Sequence, residues 1–160
     1  MAYNLEIGKR DQKFKVVAMC VVEIDKKIVL VQDAREKYYG RWGLPGGTLR
    51  INETVEEASL RGLKEDTGIE GDVDSLVGIQ HEFMAEEGHG FIYKILTVRH
   101  FSGELRPQHK NILEVKLFDM HDIFKMPDES CRHSELKKVI KDYRRGKRYP
   151  QDIIQYIYAK

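Results

Sequence analysis

Residues 42–69 read WGLPGGTLRINETVEEASLRGLKEDTGI, and the two halves of this stretch ask for different backbones. Trp42-Gly43-Leu44-Pro45-Gly46-Gly47 holds three glycines and a proline, too many for regular structure, and predicts a loop with a special backbone. Beyond it, Val55, Ala58, Leu60 and Leu63 recur at largely helical spacing, Asn52 or Thr54 offers a cap, and Gly68 follows as a stop. One amphipathic helix over residues 54–66 follows. Residues three and four apart on a helix share a face, so Glu65 and Asp66, one turn beyond position 62, project toward the same region. The Gly46-Gly47 pair offers bare backbone, which approaches a metal or phosphate more closely than any side chain would permit. Mg²⁺ favours carboxylates together with phosphate oxygens and retained waters. The stretch therefore reads as a site that holds a divalent metal against a pyrophosphate group.

Working outward, residues 14–24 (FKVVAMCVVEI) and 28–32 (IVLVQ) are rich in β-branched residues and flank the charged turn Asp25-Lys26-Lys27, which predicts a hairpin. Residues 33–41 are polar and end in Tyr38-Tyr39-Gly40-Arg41. Downstream, residues 69–83 and 90–101 alternate or run apolar and predict strands joined by the polar connection 84–89. Residues 115–118 predict a further short strand and 120–124 a helical turn. Residues 135–143 predict a basic helix with Leu136, Val139 and Ile140 on one side. The apolar segment 152–158 is expected to pack on its own domain, with docking against a second copy as the alternative. Strands before and after a central helix, with another helix near the end, argue for an α/β fold whose mixed sheet is covered on both faces, as a single domain over residues 1–160.

Bulk properties narrow the partners. With 160 residues and 41% hydrophobic composition, the chain can bury a real core. Its 27 Lys and Arg balance 26 Asp and Glu, so no uniformly basic field points to nucleic acid. The run Lys137, Lys138, Lys141, Arg144, Arg145, Lys147 and Arg148 could approach RNA, but without interleaved aromatics a solvated helix face is the plainer account. Cys20 and Cys131 form no Cys-x-x-Cys pair, and none of the six histidines sits in zinc-ligand spacing with them. No segment has the length of a membrane span or the make-up of a signal peptide, so a soluble, cytoplasmic protein is expected, with a homodimer left open.

Gly47, Glu53, Arg61, Gly62, Leu63, Lys64, Glu65, Asp66, Thr67, Gly68 and Ile69 resemble the Nudix box: Gly, five residues, Glu, seven residues, then Arg-Glu-apolar-any-Glu-Glu-any-Gly-apolar. All spacings are kept. Two positions depart, Asp66 for Glu and Gly62 for Glu, and the second removes a carboxylate outright. The resemblance implies a Nudix fold, an α/β/α sandwich with a mixed sheet. It also implies metal-dependent hydrolysis of the pyrophosphate bond in a nucleoside diphosphate linked to another moiety, with Mg²⁺ or Mn²⁺ as cofactor and a small-molecule nucleotide as partner. Carried over position by position, Glu65 and Asp66 ligate the metal, the Gly46 carbonyl joins them, and Glu53 belongs to the metal site or braces its loop by pairing with Arg61. Asn111 to Phe118 resembles a later family stretch in which a first acid is replaced by Asn111 and a second is kept as Glu114. Glu114 thereby becomes the candidate water-activating carboxylate beside Glu65, Asp66 and Arg61. Arg35, Arg41, Gly47, His81 and Glu82 are the candidate substrate contacts, with surface loop or strand-edge positions as their plainer reading. A glycine within a helix costs about 1 kcal/mol relative to alanine, and the sequence offers no packing gain for Gly62. Three outcomes follow: a working hydrolase, a slow one, or a nucleotide-binding sensor that does not turn over. Restoring the acid with Gly62→Glu is expected to separate them.

Overall fold

The computed structural model describes residues 13–84 and 88–158. Eight strands and three helices follow in the order β1 (Lys13–Val21), β2 (Glu23–Ile24), β3 (Lys27–Asp33), β4 (Trp42–Gly43), β5 (Gly46–Thr48), α1 (Val55–Thr67), β6 (Glu70–Met84), β7 (His89–Ser102), β8 (Ile112–Asp119), α2 (Met120–Lys125) and α3 (Leu136–Arg144). The connection expected at 84–89 lies partly outside the described residues.

The strands form two four-stranded sheets. In the first, the order is β5-β1-β7-β6, with β1 parallel to β7 and antiparallel to β5. In the second, β3 pairs antiparallel with β2, β4 and β8. The single hairpin expected from residues 14–24 and 28–32 therefore exists only at its tip. Residues up to Val21 leave for the first sheet, and only Glu23 and Ile24 pair with Ile28 and Lys27. Asp25 and Lys26 make the turn with φ of 50° and 64°, the left-handed pair that matches strand twist in a tight hairpin. The expected loop at 42–47 is also corrected, because β4 and β5 bracket Leu44-Pro45. Gly46 has no room for a side chain, since a Cβ there would stand 2.2 Å from the Ala18 carbonyl oxygen. Close approach to β1, rather than an unusual dihedral, is what the glycine supplies.

Alternation along the strands builds two core layers. Ala18, Cys20, Val22, Val29, Leu96 and Val98 face α1 and pack with Val55, Ala58 and Leu63. Met19, Val21, Ile28, Leu30, Tyr93 and Ile95 face the other way, onto Ile123 of α2 and Leu136, Val139 and Ile140 of α3. Each fully buried aliphatic side chain contributes about 1.5–3 kcal/mol, and both sheet faces are covered as the sequence pattern expected. The C-terminal segment touches its own domain through Ile154 and Tyr156, while Ile153, Ile157 and Tyr158 stay exposed. Ile154 packs against the α1 layer, and the Tyr156 hydroxyl accepts from the Val55 N–H at 3.0 Å and donates to Glu56. Among the described residues, no helix is long and apolar enough to cross a membrane.

Candidate active site

Helix α1 begins with a capping box. Thr54 accepts from the Glu57 N–H while Glu57 reaches back to the Thr54 N–H, and the helix ends on Gly68 in the left-handed conformation. Two acids are fixed on its last turn by different means. Asp66 accepts from the Gly46 N–H at 3.1 Å, and burial pushes its carboxyl up to about 6 against the pull of that N–H and of Arg132. Glu65 has a side chain 43% exposed and receives Arg61 Nη1 at 3.1 Å.

Arg61 is the junction of the site. Its Nε and Nη2 grip Glu53 bidentately, and Nη2 also donates to the Thr48 carbonyl at 2.9 Å. The Arg61 hydrogen bonds hold the Glu53 carboxyl down at about 2. Both oxygens of Glu53, expected at the metal or as a brace, are engaged in these hydrogen bonds. Gly62 requires a correction. A Cβ at this position would stand 2.2 Å from the Gly46 carbonyl carbon and 2.3 Å from the Gly47 nitrogen. The glycine has a packing reason after all: it lets the helix lie directly on the β5 backbone that holds Asp66. Gly62→Glu cannot simply restore an acid, because the new side chain would push that backbone away.

A cleft of about 570 Å³ opens between α1, β1, β7 and the segment before α3. Its lining includes Glu65, Asp66, Arg61 and Gly47, and the aromatic Tyr38, Phe91, Tyr93 and His133. Lys15, Arg35, Arg50 and Arg132 make the walls cationic. Below the cleft lies the fully buried carboxylate of Asp33. It takes Arg35 through Nε at 3.0 Å and Arg132 through Nη1 at 3.3 Å. Burial works to raise the Asp33 pKa and is outweighed by the Arg35 hydrogen bonds and the two positive charges, so the group lies below its ordinary value. Tyr93 donates to Glu82 at 2.6 Å, and burial first, then that donation, raises its pKa.

The expected contacts divide. Glu65, Asp66, Arg61, Gly46, Gly47 and Arg35 come together in the cleft. Arg41 and Glu114 are exposed and do not line it; Glu114 stands opposite Gln32 on β8. Asn111, in contrast, does line it, so the acid that the family stretch lost sits nearer the chemistry than the one it kept. His81 leans on Phe83 with ring centroids 3.9 Å apart, outside the cleft, and Glu82 reaches it only through Tyr93. Arg132 and His133 were missed, since they lie in an irregular segment whose burial only the tertiary structure reveals. Phe91 and Tyr93 were legible as one face of a strand, but not as a cleft wall.

Among the described residues, no group of three or more His, Cys, Asp and Glu gathers around a metal position. Two carboxylates with a nearby backbone oxygen still suit Mg²⁺, which is commonly held by one or two carboxylates plus substrate phosphates. The desolvated Asp66, facing a single backbone donor, has the chemistry of a group completed by a cation.

Residues 13–143 match the family described as the NUDIX domain. An ADP-ribose pyrophosphatase of Methanocaldococcus jannaschii is 31% identical over 127 residues, covering 79% of this chain and 71% of that protein. A putative nudix hydrolase of Caenorhabditis elegans is 39% identical over 56 residues, 35% of this chain and 15% of the other. Among solved structures, a NUDIX hydrolase from Nitrosomonas europaea superposes with a TM-score of 0.78 at 28% identity, covering 91% of this chain and 98% of that one. The NUDIX domain of Shewanella oneidensis NrtR, solved with ADP ribose, shares the fold with a TM-score of 0.64 at 23% identity, over 86% of this chain and 89% of its own.

Proposed function

Because the chain belongs to the Nudix family, we propose that its cleft hydrolyses the pyrophosphate bond of a nucleoside diphosphate linked to a second moiety. The observation that carries this reading is the fixed acid pair. Glu65 is held by Arg61 and Asp66 by the Gly46 N–H, in a cleft that aromatic side chains also line. Glu65, Asp66 and the Gly46 carbonyl would hold Mg²⁺ or Mn²⁺, which supplies charge neutralisation at the pyrophosphate oxygens and a more acidic water.

The chain's own residues do the rest. Lys15 and Arg50 line the cleft and reduce the repulsion between a polyanion and the two acids. Arg61, tied to Glu53 and Thr48, keeps Glu65 from swinging as charge builds up. With Glu114 outside the cleft, Glu65 and Asp66 are the carboxylates left there, and an oxygen of one of them not given to the cation would take the proton as water adds to phosphorus and the bridging P–O bond breaks.

Product release from ADP-ribose, dinucleoside polyphosphates and nucleoside triphosphates, measured with Mg²⁺ and with Mn²⁺, tests the reading. Turnover that EDTA abolishes and that Glu65→Gln and Asp66→Asn each lower by about 10²-fold or more supports it. Full activity in Glu65→Gln would remove the helix from the mechanism. One observation favours a second reading: the described residues gather no group of three or more acids, His or Cys that could hold a metal, which suits a nucleotide sensor. Metal-dependent binding with no product in either metal would select it.

A further inference from the structure

Strand β6 ends the first sheet, and its outer side is only partly taken. Leu76 exchanges both backbone hydrogen bonds with Tyr149, each at 2.8 Å. Past the irregularity between Leu76 and Gly78, no described residue pairs with β6 on that side, so residues 78–84 present an open edge. We infer that two copies of this chain join through this edge, antiparallel about a two-fold axis at His81, so that two four-stranded sheets become one continuous sheet.

The edge lacks the features that usually keep such a strand single. Residues 78–84 read GIQHEFM, with no lysine, arginine or proline, the residues that commonly blunt an edge. Their one carboxylate, Glu82, is turned to the cleft side, where it accepts from Tyr93 at 2.6 Å. Ile79, His81 and Phe83 alternate onto the opposite face, and there Ile79 is 56% and Phe83 75% exposed. The register sets Phe83 in a row with Gly90 of β7 and Phe14 of β1. Gly90 leaves a gap that the Phe14 ring crosses, since a Cβ on Gly90 would stand 2.8 Å from Phe14 Cε1. Phe14 thereby comes within 5.5 Å of His81, and His81 within 3.9 Å of Phe83. A bare backbone edge thus runs beside an uncovered apolar strip, a combination that an added strand would satisfy.

The identity of the occupant follows from self-complementarity. His81 is the midpoint of residues 78–84, and a pairing centred there uses the whole open edge of both copies. A centre at Gln80 would run Met84 into the partner's Leu76, which Tyr149 already holds. A centre at Glu82 would set that carboxylate against its own copy, and like charges directly opposite destabilise. With His81 on the axis, Ile79 stands opposite the partner's Phe83 on one face, an aromatic and β-branched pair of the stabilising kind. On the other face Gln80 stands opposite the partner's Glu82, an amide donor beside a carboxylate acceptor. The two-fold axis makes each pair twice.

An edge contact lies at the small end of specific interfaces, so the test is sedimentation of the full chain from about 1 µM to about 1 mM. Wild type is expected to pass from monomer to dimer over that range. Ile79→Lys and Phe83→Glu each remove an apolar pair at two places, and each is expected to raise the dimer Kd about tenfold or more. Both side chains are exposed, so the Tm of either variant, taken where wild type is monomeric, should stay within about 2 °C of wild type. Mixed in equal amounts, the two variants are expected to regain dimer, because the introduced ammonium then faces the introduced carboxylate. Cysteines read the axis, since the native Cys20 and Cys131 are buried. His81→Cys is expected to cross-link to its own copy on mild oxidation, whereas Gln80→Cys, whose copies lie diagonally about 7–8 Å apart, is not. A wild type that is still monomeric at about 1 mM overturns the pairing, as does a dimer that both charge variants leave intact. A cross-link through Gln80→Cys as strong as that through His81→Cys overturns the register. A monomer whose 78–84 amides are nonetheless protected from hydrogen exchange also overturns it, and assigns the edge to residues 1–12 of the same chain.

Discussion

Gly62 sits on the buried side of α1, where its lack of a side chain brings the helix onto the Gly46-Gly47 backbone. Intrinsic propensity says that Gly62→Ala should stabilise the helix by about 1 kcal/mol. The contact says otherwise. A methyl group 2.2 Å from a backbone carbon must move β5, and overpacking of this kind costs about 1–3 kcal/mol. Gly62→Ala is therefore expected to lower the urea midpoint, and Gly62→Glu to lower it further while detaching Asp66 from the Gly46 N–H. An alanine variant more stable than wild type would show that the helix can back away freely. The sequence made the missing acid at Gly62 visible, but not what replaced it, because the replacement is a contact between backbones sixteen residues apart. Glu65, Asp66 and Arg61 were legible for the opposite reason: their relation is set by helical spacing alone.

At the scale of elements, α1 was readable almost to the residue, since its capping box and left-handed Gly68 are local signals. The β1–β3 hairpin was not. Apolar content runs unbroken from 16 to 22, and nothing local marks the point at which the chain changes sheets between Val21 and Glu23. The β8 strand was found too short because its outward residues, such as Leu113, Glu114 and Lys116, have mixed polarity. The turn that remains is strained, with Lys26 in the left-handed region at φ 64°. Glycine adopts that backbone without the Cβ penalty. Lys26→Gly is expected to stabilise the fold by about 0.5–1 kcal/mol, net of the added freedom of the unfolded chain. Thermal unfolding would reveal it as a rise in Tm, and an unchanged or lower Tm would mean that the Lys26 stem contributes more than its backbone costs.

For the whole molecule, Asp33 ties three separated pieces together: the end of β3, the following turn through Arg35, and the segment before α3 through Arg132. Its folded pKa lies below the ordinary value near 4. A depressed carboxylate contributes stability above the unfolded pKa and loses it as pH falls through that value toward the folded one. Wild type is thus expected to lose stability steeply below about pH 4. Asp33→Asn should be less stable at pH 7, with two arginines left without their counter-charge, yet show a shallower acid decline in urea melts run from pH 7 to pH 3. Equal slopes in both proteins would remove Asp33 from the acid response. The sandwich itself was legible from strand alternation, whereas its division into two sheets was not, because register between distant strands leaves no mark on either strand alone.

The parallel pairing of β1 with β7 joins Lys13 to His89 and Val21 to Thr97, so β1 waits for a partner emerging some seventy-six residues later. Its antiparallel neighbour β5 comes sooner but offers only three paired residues. On the ribosome, an apolar strand carrying Val16, Val17, Cys20 and Val21 must therefore remain without its main partner until β7 has been synthesised. Such long-range closure slows folding. β3 shares this position, since its main partner β8 emerges still later, so these two apolar strands are the ones exposed to mispairing with another nascent chain until the second half of the domain is made.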